Sequence, residues 1–327
     1  MTAHPLVSVV FSFRNERQNI PTLVARLDAM FAGAGVDYEL IFVNDASNDG
    51  SLDVLIDERS RNPRVKIVNM SRRFGVSECA RAGMAAASGD AAVIMDADLQ
   101  DPPEVIPQLI AKWRAGADVV HTVRTRRHGE SAAKMMLTRL AYRIILLGSS
   151  IELPIDAGDF KLLSRAALDR LLSLGESDPY LRGLVVWIGF EQAFVPYERD
   201  ARHAGRTHFP FFSRNPWKTF AMGLTSFSFM PVFATICLAL VSLVIAALLI
   251  LRAAAVLLTG GRLSIPTILI TVGTFFWATL LAAIAAVGIY VIRIYKDVRG
   301  RPQYIVASTI GLPSSGLEAR GKQALPL

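Results

Sequence analysis

The sequence predicts an α/β domain built on a largely parallel sheet, followed by two helices long enough to cross a membrane. Strand-like and helix-like patterns alternate through the first part of the chain, which is typical of strands joined by helices in a parallel sheet. Two later stretches, residues 219–251 and 263–292, contain no charged side chain. Each is longer than the roughly 20 residues that span a bilayer.

Composition separates this chain from ordinary soluble proteins. Of its 327 residues 52% are hydrophobic, and the mean hydropathy is +0.38, which is high for a soluble domain. The net charge of +7 suits a phosphorylated substrate, an anionic lipid or a nucleic acid, and it does not choose among them. Cys79 and Cys237 lie in regions of different character, which argues against a disulfide framework and favours a reducing compartment.

In the first part of the chain, short apolar and β-branched runs alternate with longer amphipathic runs. The strand patterns cover residues 6–13, 38–44, 65–70, 91–95 and 118–123, and the helix patterns cover 18–30, 51–59, 77–87 and 103–115. Helices cover both faces of such a sheet, and its ligands bind beyond the carboxyl ends of the strands. The residues that follow each strand are therefore candidates for a site.

Polar residues follow each of the first four predicted strands. These segments are residues 12–16, 44–50, 71–75 and 96–101. Turn formation alone explains Asn48-Asp49-Gly50. Four consecutive polar strand ends in so apolar a chain nevertheless favour a binding site at this edge of the sheet.

The sharpest feature at these strand ends is the pair Asp96 and Asp98. Two carboxylates at this spacing can both address one hard divalent cation, because Mg²⁺ is usually bound by one or two carboxylates and substrate phosphate. Such an ion neutralises charge that develops on a leaving diphosphate. The alternative is an acidic loop that caps the helix expected after Pro102-Pro103, where carboxylates favour the helix N-terminus.

The two uncharged stretches predict a transmembrane hairpin of helices over residues 227–251 and 265–291. The link between them carries Arg252 and Arg262, whereas longer basic runs lie on both sides of the hairpin. Because basic flanks stay on the cytoplasmic side, both termini are expected to be cytoplasmic. A pair of buried core helices is the alternative, but the lengths match a bilayer.

Aromatic and basic residues are mixed just before the hairpin, for example Trp217 and Lys218. This composition is typical of an interfacial helix, and the alternative is that the segment simply begins the first span. The expected boundaries are residues 1–208 for the α/β domain, 209–226 for the interfacial segment, 227–292 for the hairpin and 293–327 for a basic cytoplasmic tail.

Several motifs occur in order along nearly the whole chain. They are Arg14-Asn15-Glu16, Val43-Asn44-Asp45-Ala46-Ser47, Ser71-Arg72-Arg73-Phe74-Gly75, the run from Asp96 to Pro103, Asp156-Ala157-Gly158-Asp159-Phe160, Arg182-Gly183 and the run from Arg293 to Pro302. Together they resemble family 2 glycosyltransferases of the dolichol-phosphate mannose synthase type. They are most similar to bacterial polyprenyl-phosphate glycosyltransferases with a C-terminal two-span hairpin. The resemblance implies that residues 1–208 form a glycosyltransferase A-type, Rossmann-like nucleotide-sugar-binding domain.

The resemblance also implies which residues bind the donor. Nucleotide-sugar binding is expected of Ser12, Arg14, Glu16, Val43, Asp45, Arg73, Asp96 and Ala97. A Mg²⁺ or Mn²⁺ ion is expected on Asp96, Asp98 and Gln100. This chain departs from the family at the first strand end, where Ser12 and Arg14 replace the usual proline and aromatic. It departs again after the second strand, where Asn44-Asp45 replaces two aspartates, so the choice of base is less constrained than the metal pair.

Catalysis and acceptor binding are expected nearby. The resemblance implies catalytic roles for Asp159, Asp98 and Asp156, and it leaves Asp159 and Asp156 as competitors for the place beside the reacting centre. The acceptor phosphate is expected to meet basic side chains, with Arg124, Arg126, Arg199 and Arg202 as candidates.

The resulting hypothesis is sugar transfer from a nucleotide-sugar to a polyprenyl phosphate at the cytoplasmic face of a bacterial inner membrane, with inversion at the anomeric carbon. Glucose, UDP and undecaprenyl phosphate are the first expectations for the sugar, nucleotide and lipid. The product would serve modification of a cell-envelope glycan. The two spans offer a packing surface for a homo-oligomer, for which a tetramer is plausible.

Other functions were weighed against this one. A processive polysaccharide synthase is disfavoured because the Gln-x-x-Arg-Trp motif is absent from the sequence. A different membrane acceptor such as diacylglycerol, or a catalytically silent adaptor that binds nucleotide, stays open. Nucleic-acid binding is not expected, because the basic residues cluster beside the hairpin instead of forming a separate groove.

Overall fold

The computed structural model describes residues 4–127, 157–199, 225–228, 230–260 and 265–312. Its strands are β1 (Leu6–Phe13), β2 (Asp37–Asn44), β3 (Val65–Met70), β4 (Ala91–Asp96), β5 (Val119–Arg127), β6 (Ala157–Ser164), β7 (Gln192–Arg199) and β8 (Val306–Ile310). Its helices are α1 (Ile20–Phe31), α2 (Ser51–Arg61), α3 (Val76–Ala86), α4 (Ile106–Arg114), α5 (Arg165–Ser173), α6 (Leu181–Trp187), α7 (Met230–Leu258) and α8 (Ile265–Val298).

The alternation predicted for the first part of the chain is confirmed. The first five strands and four helices lie where the patterns place them, and a short 3-10 turn at Pro103–Val105 precedes α4. The apolar positions of α1 explain its place, because Leu23, Leu27 and Phe31 recur at helical spacing and are all buried.

One eight-stranded sheet organises the domain, in the order β7-β5-β6-β4-β1-β2-β3-β8. The strands β3, β2, β1 and β4 are parallel, and β5 is parallel to β7. Two strands run the other way: β6 is antiparallel to β4 and β5, and β8 is antiparallel to β3. The carboxyl ends of the parallel strands and the amino ends of β6 and β8 therefore meet at one edge.

Helices cover both faces of this sheet. Side chains of α1, α2 and α4 pack on one face, and side chains of α3, α5 and α6 pack on the other. Phe11 and Phe42 are fully buried and stacked, with ring centroids 4.6 Å apart. Burying each such side chain contributes about 1.5–3 kcal/mol, so the central strands form a rigid base for the edge beyond them.

The helices α7 and α8 are long and apolar enough to cross a membrane, judged by length and composition. Most of their large apolar side chains are exposed, so they are not core helices of the α/β domain. They contact each other, and the hydroxyls of Ser242 and Thr279 form a buried hydrogen bond of 2.9 Å between them. Helix α8 continues to Val298, beyond the predicted end of the span at residue 291.

The chain after α8 returns to the sheet, which the sequence analysis did not predict. Strand β8 pairs with β3, and Asn69 donates a hydrogen bond of 3.0 Å to the Ser308 hydroxyl. A five-residue edge strand has little stability of its own, so its pairing depends on the sheet already being present. The end of the hairpin is thereby tied back to the α/β domain.

Candidate active site

Residues of neighbouring strands lie side by side at the carboxyl ends of the parallel strands. Ser12 in β1 pairs in register with Val43 in β2 on one side and with Asp96 in β4 on the other. The register between β4 and β6 runs to the pair Ile94 and Lys161, and two residues further along Asp159 comes beside Asp96, whose pKa responds to its charge. Residues from four neighbouring strands therefore meet, as the sequence predicts for a binding edge.

The loops after β1 and β2 are tied together by side chains of the predicted donor site. Arg14 donates hydrogen bonds of 2.6 and 2.7 Å to the carbonyls of Asp45 and Ala46. An Asp45 carboxylate oxygen accepts the backbone N–H groups of Phe74 at 2.6 Å and Gly75 at 3.4 Å. Arg14 and Asp45 thus shape the loops at three strand ends.

Two other predicted donor residues lie on either side of these loops. Glu16 is buried in the loop before α1, where it accepts a hydrogen bond of 2.5 Å from the Asn19 side chain. Arg73 is exposed in the loop after β3. Only Arg73 of this pair is open to solvent, so it can approach a ligand without displacing other protein groups.

An acidic turn follows β4. Asp98 and Asp101 are 5% and 1% exposed, and Ala97 is buried between Asp96 and Asp98. An Asp98 oxygen accepts the Gln100 backbone N–H at 3.2 Å. Leu99 has a φ of 60°, a left-handed conformation that a leucine seldom adopts. Such local strain is typical of functional turns.

Basic and phenolic groups face this turn from β5 and β7. The Arg199 guanidinium lies 3.8 Å from Asp96 and 3.4 Å from Asp101. Tyr197 donates a hydrogen bond of 2.5 Å to Asp101 and accepts one of 3.1 Å from Arg124. Tyr197 was not predicted from the sequence as a site residue, although its place two residues before Arg199 in a strand puts both side chains on one face.

The structure brings two of the four predicted acceptor arginines to the site. Arg124 and Arg199 both approach the acidic turn, as described above. The Arg126 backbone pairs with Glu198 in the sheet, and Arg202 lies outside the described residues. Arg124 also packs against Gly158, where a Cβ would lie 2.6 Å from its guanidinium and would require it to shift.

Asp159 forms a two-bond ion pair with Arg182 at the start of α6. The distances are 2.8 and 2.6 Å, and the two side chains are 40% and 32% exposed respectively. The packed surroundings of Asp159 oppose its ionisation, but Arg182, Lys161 and Arg124 prevail and hold its pKa well below the ordinary value. Asp156, its competitor in the sequence analysis, lies outside the described residues.

Arg182 is a site residue to which the sequence analysis assigned no role, although its motif Arg182-Gly183 was noted. It is separated from Asp159 by the rest of β6, by α5 and by the loop before α6, so no local pattern predicts their contact. Lys161, also missed, is buried on β6, and burial lowers its pKa to about 8 although Asp159 opposes the shift.

The pKa of Asp96 is shifted in the opposite direction to that of Asp159. Burial, followed by the negative charges of Asp98, Asp101 and Asp159, raises its pKa to about 7, and Arg199 only partly offsets this. Its side chain still keeps 34% of its surface open to solvent. An additional positive charge at this point would stabilise the ionised carboxylate.

The donor set suits a hard divalent cation. Among the described residues no group of three or more His, Cys, Asp and Glu side chains is arranged to hold a metal. Mg²⁺ commonly takes only one or two carboxylates and completes its shell with water and phosphate oxygens. Asp96 and Asp98 fit that pattern, and the charge repulsion around Asp96 is of the sign that a cation relieves.

Comparison with known proteins agrees with this geometry. Residues 8–172 match the family model described as glycosyl transferase family 2. The uncharacterized glycosyltransferase YkcC of Bacillus subtilis is 38% identical over 97% of this chain and 98% of its own length. The prophage-derived bactoprenol glucosyl transferase of Shigella flexneri is 31% identical over 92% of this chain and 97% of its own.

A more distant likeness extends to a solved structure. The mannosyltransferase PcManGT of Pyrobaculum calidifontis, in complex with GDP-Man and Mn²⁺, has a TM-score of 0.45 and 19% identity over 91% of this chain and 83% of that chain. The family match and the full-length relatives decide the assignment. The chain is a glycosyltransferase with an A-type α/β fold, and it belongs to glycosyl transferase family 2.

Proposed function

We infer that this glycosyltransferase moves a sugar, glucose in the first instance, from a UDP-sugar to a polyprenyl phosphate. The observation that carries the proposal is the meeting of carboxylates and guanidinium groups at one sheet edge: Asp96 and Asp159 lie beside Arg199 and Arg182. Such an edge can accept a donor diphosphate and an acceptor phosphate together. The full-length relative named a bactoprenol glucosyl transferase supports the lipid acceptor and the sugar.

The donor would lie over the row formed by Val43, Ser12 and Asp96. The loops after β1 and β2, held by Arg14 and Asp45, would enclose the nucleotide, and the exposed Arg73 would approach its phosphates. The buried Ala97 would contribute its backbone beside Asp96, and the buried Glu16 would support the loop after β1. Charge-assisted contacts of this kind are the strong ones in nucleotide binding.

A divalent cation, Mg²⁺ or Mn²⁺, would be held by Asp96 and Asp98 with Gln100 nearby. When bound, it supplies positive charge that stabilises the leaving diphosphate. The turn that carries these residues is buried and anchored, since Asp101 is fixed by Tyr197 and Arg199. Its carboxylates are therefore held in place before the donor arrives, which reduces reorganisation during the reaction.

The acceptor needs no strong general base. A phosphate monoester has a second pKa of about 6, so it is largely dianionic at neutral pH. In the proposed step, a phosphate oxygen forms a bond to the anomeric carbon as the bond to the donor diphosphate breaks, and the configuration inverts. Arg124 and Arg199, with Arg126 and Arg202 as further candidates, would offset the repulsion between the anions.

Asp159 suits an orienting role better than a proton-accepting one. A carboxylate whose pKa lies far below its ordinary value is a weak base. Its two hydrogen bonds to Arg182 fix that guanidinium at the strand edge, where it would bind phosphate oxygens. Asp159 would also stabilise positive charge that develops on the sugar. Asp156 remains a second candidate for this place.

The helices α7 and α8 fit an acceptor that cannot leave the membrane. We propose that they form a transmembrane hairpin, with residues 1–208 as a cytoplasmic catalytic domain and both termini on the cytoplasmic side. The basic and aromatic segment 209–226 would then lie at the membrane interface, where its cations attract lipid phosphate. Lateral packing of the hairpins would support a homo-oligomer.

The test is transfer of radiolabelled sugar from UDP-, GDP- and dTDP-sugars to undecaprenyl phosphate in detergent, with and without EDTA. One donor should label the lipid, and both EDTA and Asp98→Ala should reduce the rate by at least about a hundredfold. Asp53→Ala, an exposed carboxylate of α2, is the matched control and should keep wild-type transfer.

Other outcomes would redirect the assignment. Label in diacylglycerol but not in polyprenyl phosphate would replace the acceptor. Tight nucleotide binding without transfer to either lipid would favour the silent adaptor. Full transfer by Asp98→Ala, or in EDTA, would remove the metal from the proposal.

A further inference from the structure

We propose that the C-terminal end of α8 positions Arg182 in the active site, acting through the 174–180 loop. This loop joins α5 to α6, and Arg182 is the second residue of α6. The proposal rests on the proposed function, since it explains how the hairpin helices and the reacting centre are held in one geometry. It concerns residues outside the strand edge, principally Ser177, Asp178, Lys296 and Asp297.

Consecutive residues of the loop contact the last turns of α8. The Asp297 carboxylate accepts the Ser177 backbone N–H at 2.8 Å, and the Lys296 carbonyl accepts the Ser177 hydroxyl at 3.0 Å. The Lys296 ammonium forms an ion pair with Asp178. Both the backbone and the side chains of the loop are therefore attached to α8.

Glu176, the residue before Ser177 in the loop, is also in contact with α8 and with the segment that follows it. Arg293 of α8 lies 3.9 Å from the Glu176 carboxylate, and the Gln303 side chain donates to the Glu176 carbonyl. Arg81 of α3 donates hydrogen bonds of 2.6 Å to the carbonyls of Leu172 and Leu174. The loop is thus held between the sheet domain on one side and α8 with its following segment on the other.

Phe227, three residues before the first residue of α7, contacts the same place. Gly183, next to Arg182, packs against the Phe227 ring so closely that a Cβ would lie 2.1 Å from it. The rings of Tyr180 and Phe227 are also near each other, tilted by 58° with centroids 6.4 Å apart. Arg182 therefore lies near residues that contact the end of α8 and the segment before α7.

This arrangement gives the loop a positioning role. Helix α6 has only seven residues, too few to be stable alone, so its first turn takes its place from its neighbours. Its Tyr180 carbonyl accepts the N–H groups of Gly183 and Leu184, which begins the helix at the loop. A shift of the loop therefore moves the Arg182 guanidinium away from Asp159. Displacements of about 1 Å near a reacting centre can reduce rates about a hundredfold.

The experiment compares Asp178→Lys, Lys296→Asp and the double variant that exchanges the two charges. Each single variant should lower kcat about tenfold while the nucleotide Kd stays within about twofold, since the donor site is not touched. The double variant should recover most of the lost rate. Asp169→Lys, which breaks an ion pair with Arg165 within α5, is the control and should keep wild-type kcat.

A second readout does not depend on transfer. Hydrogen exchange of peptides covering α6 should be faster in both single variants and return towards wild type in the double variant. Unchanged exchange in α6, or faster exchange with unchanged kcat, would overturn the positioning role. If wild-type protein transfers no sugar, the proposed function fails by that result alone, and the exchange data still decide whether α8 orders α6.

Discussion

Asp96 and Asp159 are neighbours on adjacent strands, yet the protein treats their carboxylates in opposite ways. Asp96 is crowded by Asp98, Asp101 and Asp159, and its pKa is raised to about 7. Asp159 is paired with Arg182 through two hydrogen bonds, and its pKa is lowered. Both sites disfavour charge through packing, so the difference comes from the sign of the nearest charges.

The contrast indicates different work for the two carboxylates. A crowded carboxylate gains from a bound cation, whereas a paired carboxylate is already neutralised and holds its partner in place. Asp96 therefore belongs to the half of the site that would receive metal and diphosphate. Asp159 belongs to the half that fixes Arg182. Substitution of each carboxylate, and of the groups between them, tests this division.

Replacing the crowded carboxylate should have the largest effect. We expect Asp96→Asn to lower the transfer rate about a thousandfold, because the cation site loses a charged ligand. The same variant should be stabilised in EDTA at pH 8, by an amount on the order of 1 kcal/mol after allowance for solvent screening. Transfer assays and thermal unfolding would measure the two effects, with Asp53→Asn as the matched control.

The pH dependence of that stability has a defined sign. Because the pKa of Asp96 is raised from 3.8 to about 7, its protonated form favours the folded state at low pH, and this contribution is lost as pH rises through 7. The advantage of Asp96→Asn over wild type should therefore grow from pH 5 to pH 8, both in EDTA. A constant difference across that range would show that Asp96 is not crowded.

Replacing the paired carboxylate should have a smaller effect on rate. We expect Asp159→Asn to lower kcat about a hundredfold, because Arg182 loses the ionic partner that orients it. Nucleotide affinity should change little. Asp169→Asn breaks another aspartate–arginine pair, with Arg165, and should leave kcat unchanged.

The stability of this variant should depend on pH in the opposite direction. A lowered pKa means that Asp159 stabilises the fold above its ordinary value of 3.8 and loses this contribution as pH falls below it. Wild type should therefore unfold at a higher temperature than Asp159→Asn at pH 7, and the gap should narrow towards pH 3. Wild-type turnover by a folded variant would refute the orienting role.

Removing the Tyr197 hydroxyl should have the smallest effect on the transfer rate. Tyr197 bridges Asp101 and Arg124, so Tyr197→Phe should lower transfer about tenfold, which corresponds to about 1.4 kcal/mol. Tyr38→Phe removes a similar phenol–carboxylate bond to Asp28 away from the site and is the control. An effect of Tyr197→Phe equal to that of the control would mean that Arg124 is placed by Gly158 and the sheet alone.

Sequence patterns predicted local elements well and distant contacts poorly. The first four strands, their polar ends and the Asp96–Asp98 pair follow from short-range alternation and spacing. Strand β8 was missed because VASTI is a weak pattern and becomes a strand only by pairing with β3. Arg182 was left without a role because its partner Asp159 lies far from it in sequence.

Local sequence is enough to specify the α/β alternation, the acidic pair after β4 and the two long apolar helices. These depend on periodicity, on neighbouring residues and on length, which a chain displays before it folds. Long-range packing sets β6 antiparallel beside β4, which puts Asp159 next to Asp96. It also decided that α8 holds the loop before Arg182. Ionisation and orientation depend on the charges that folding brings within a few ångströms, and local sequence does not specify them.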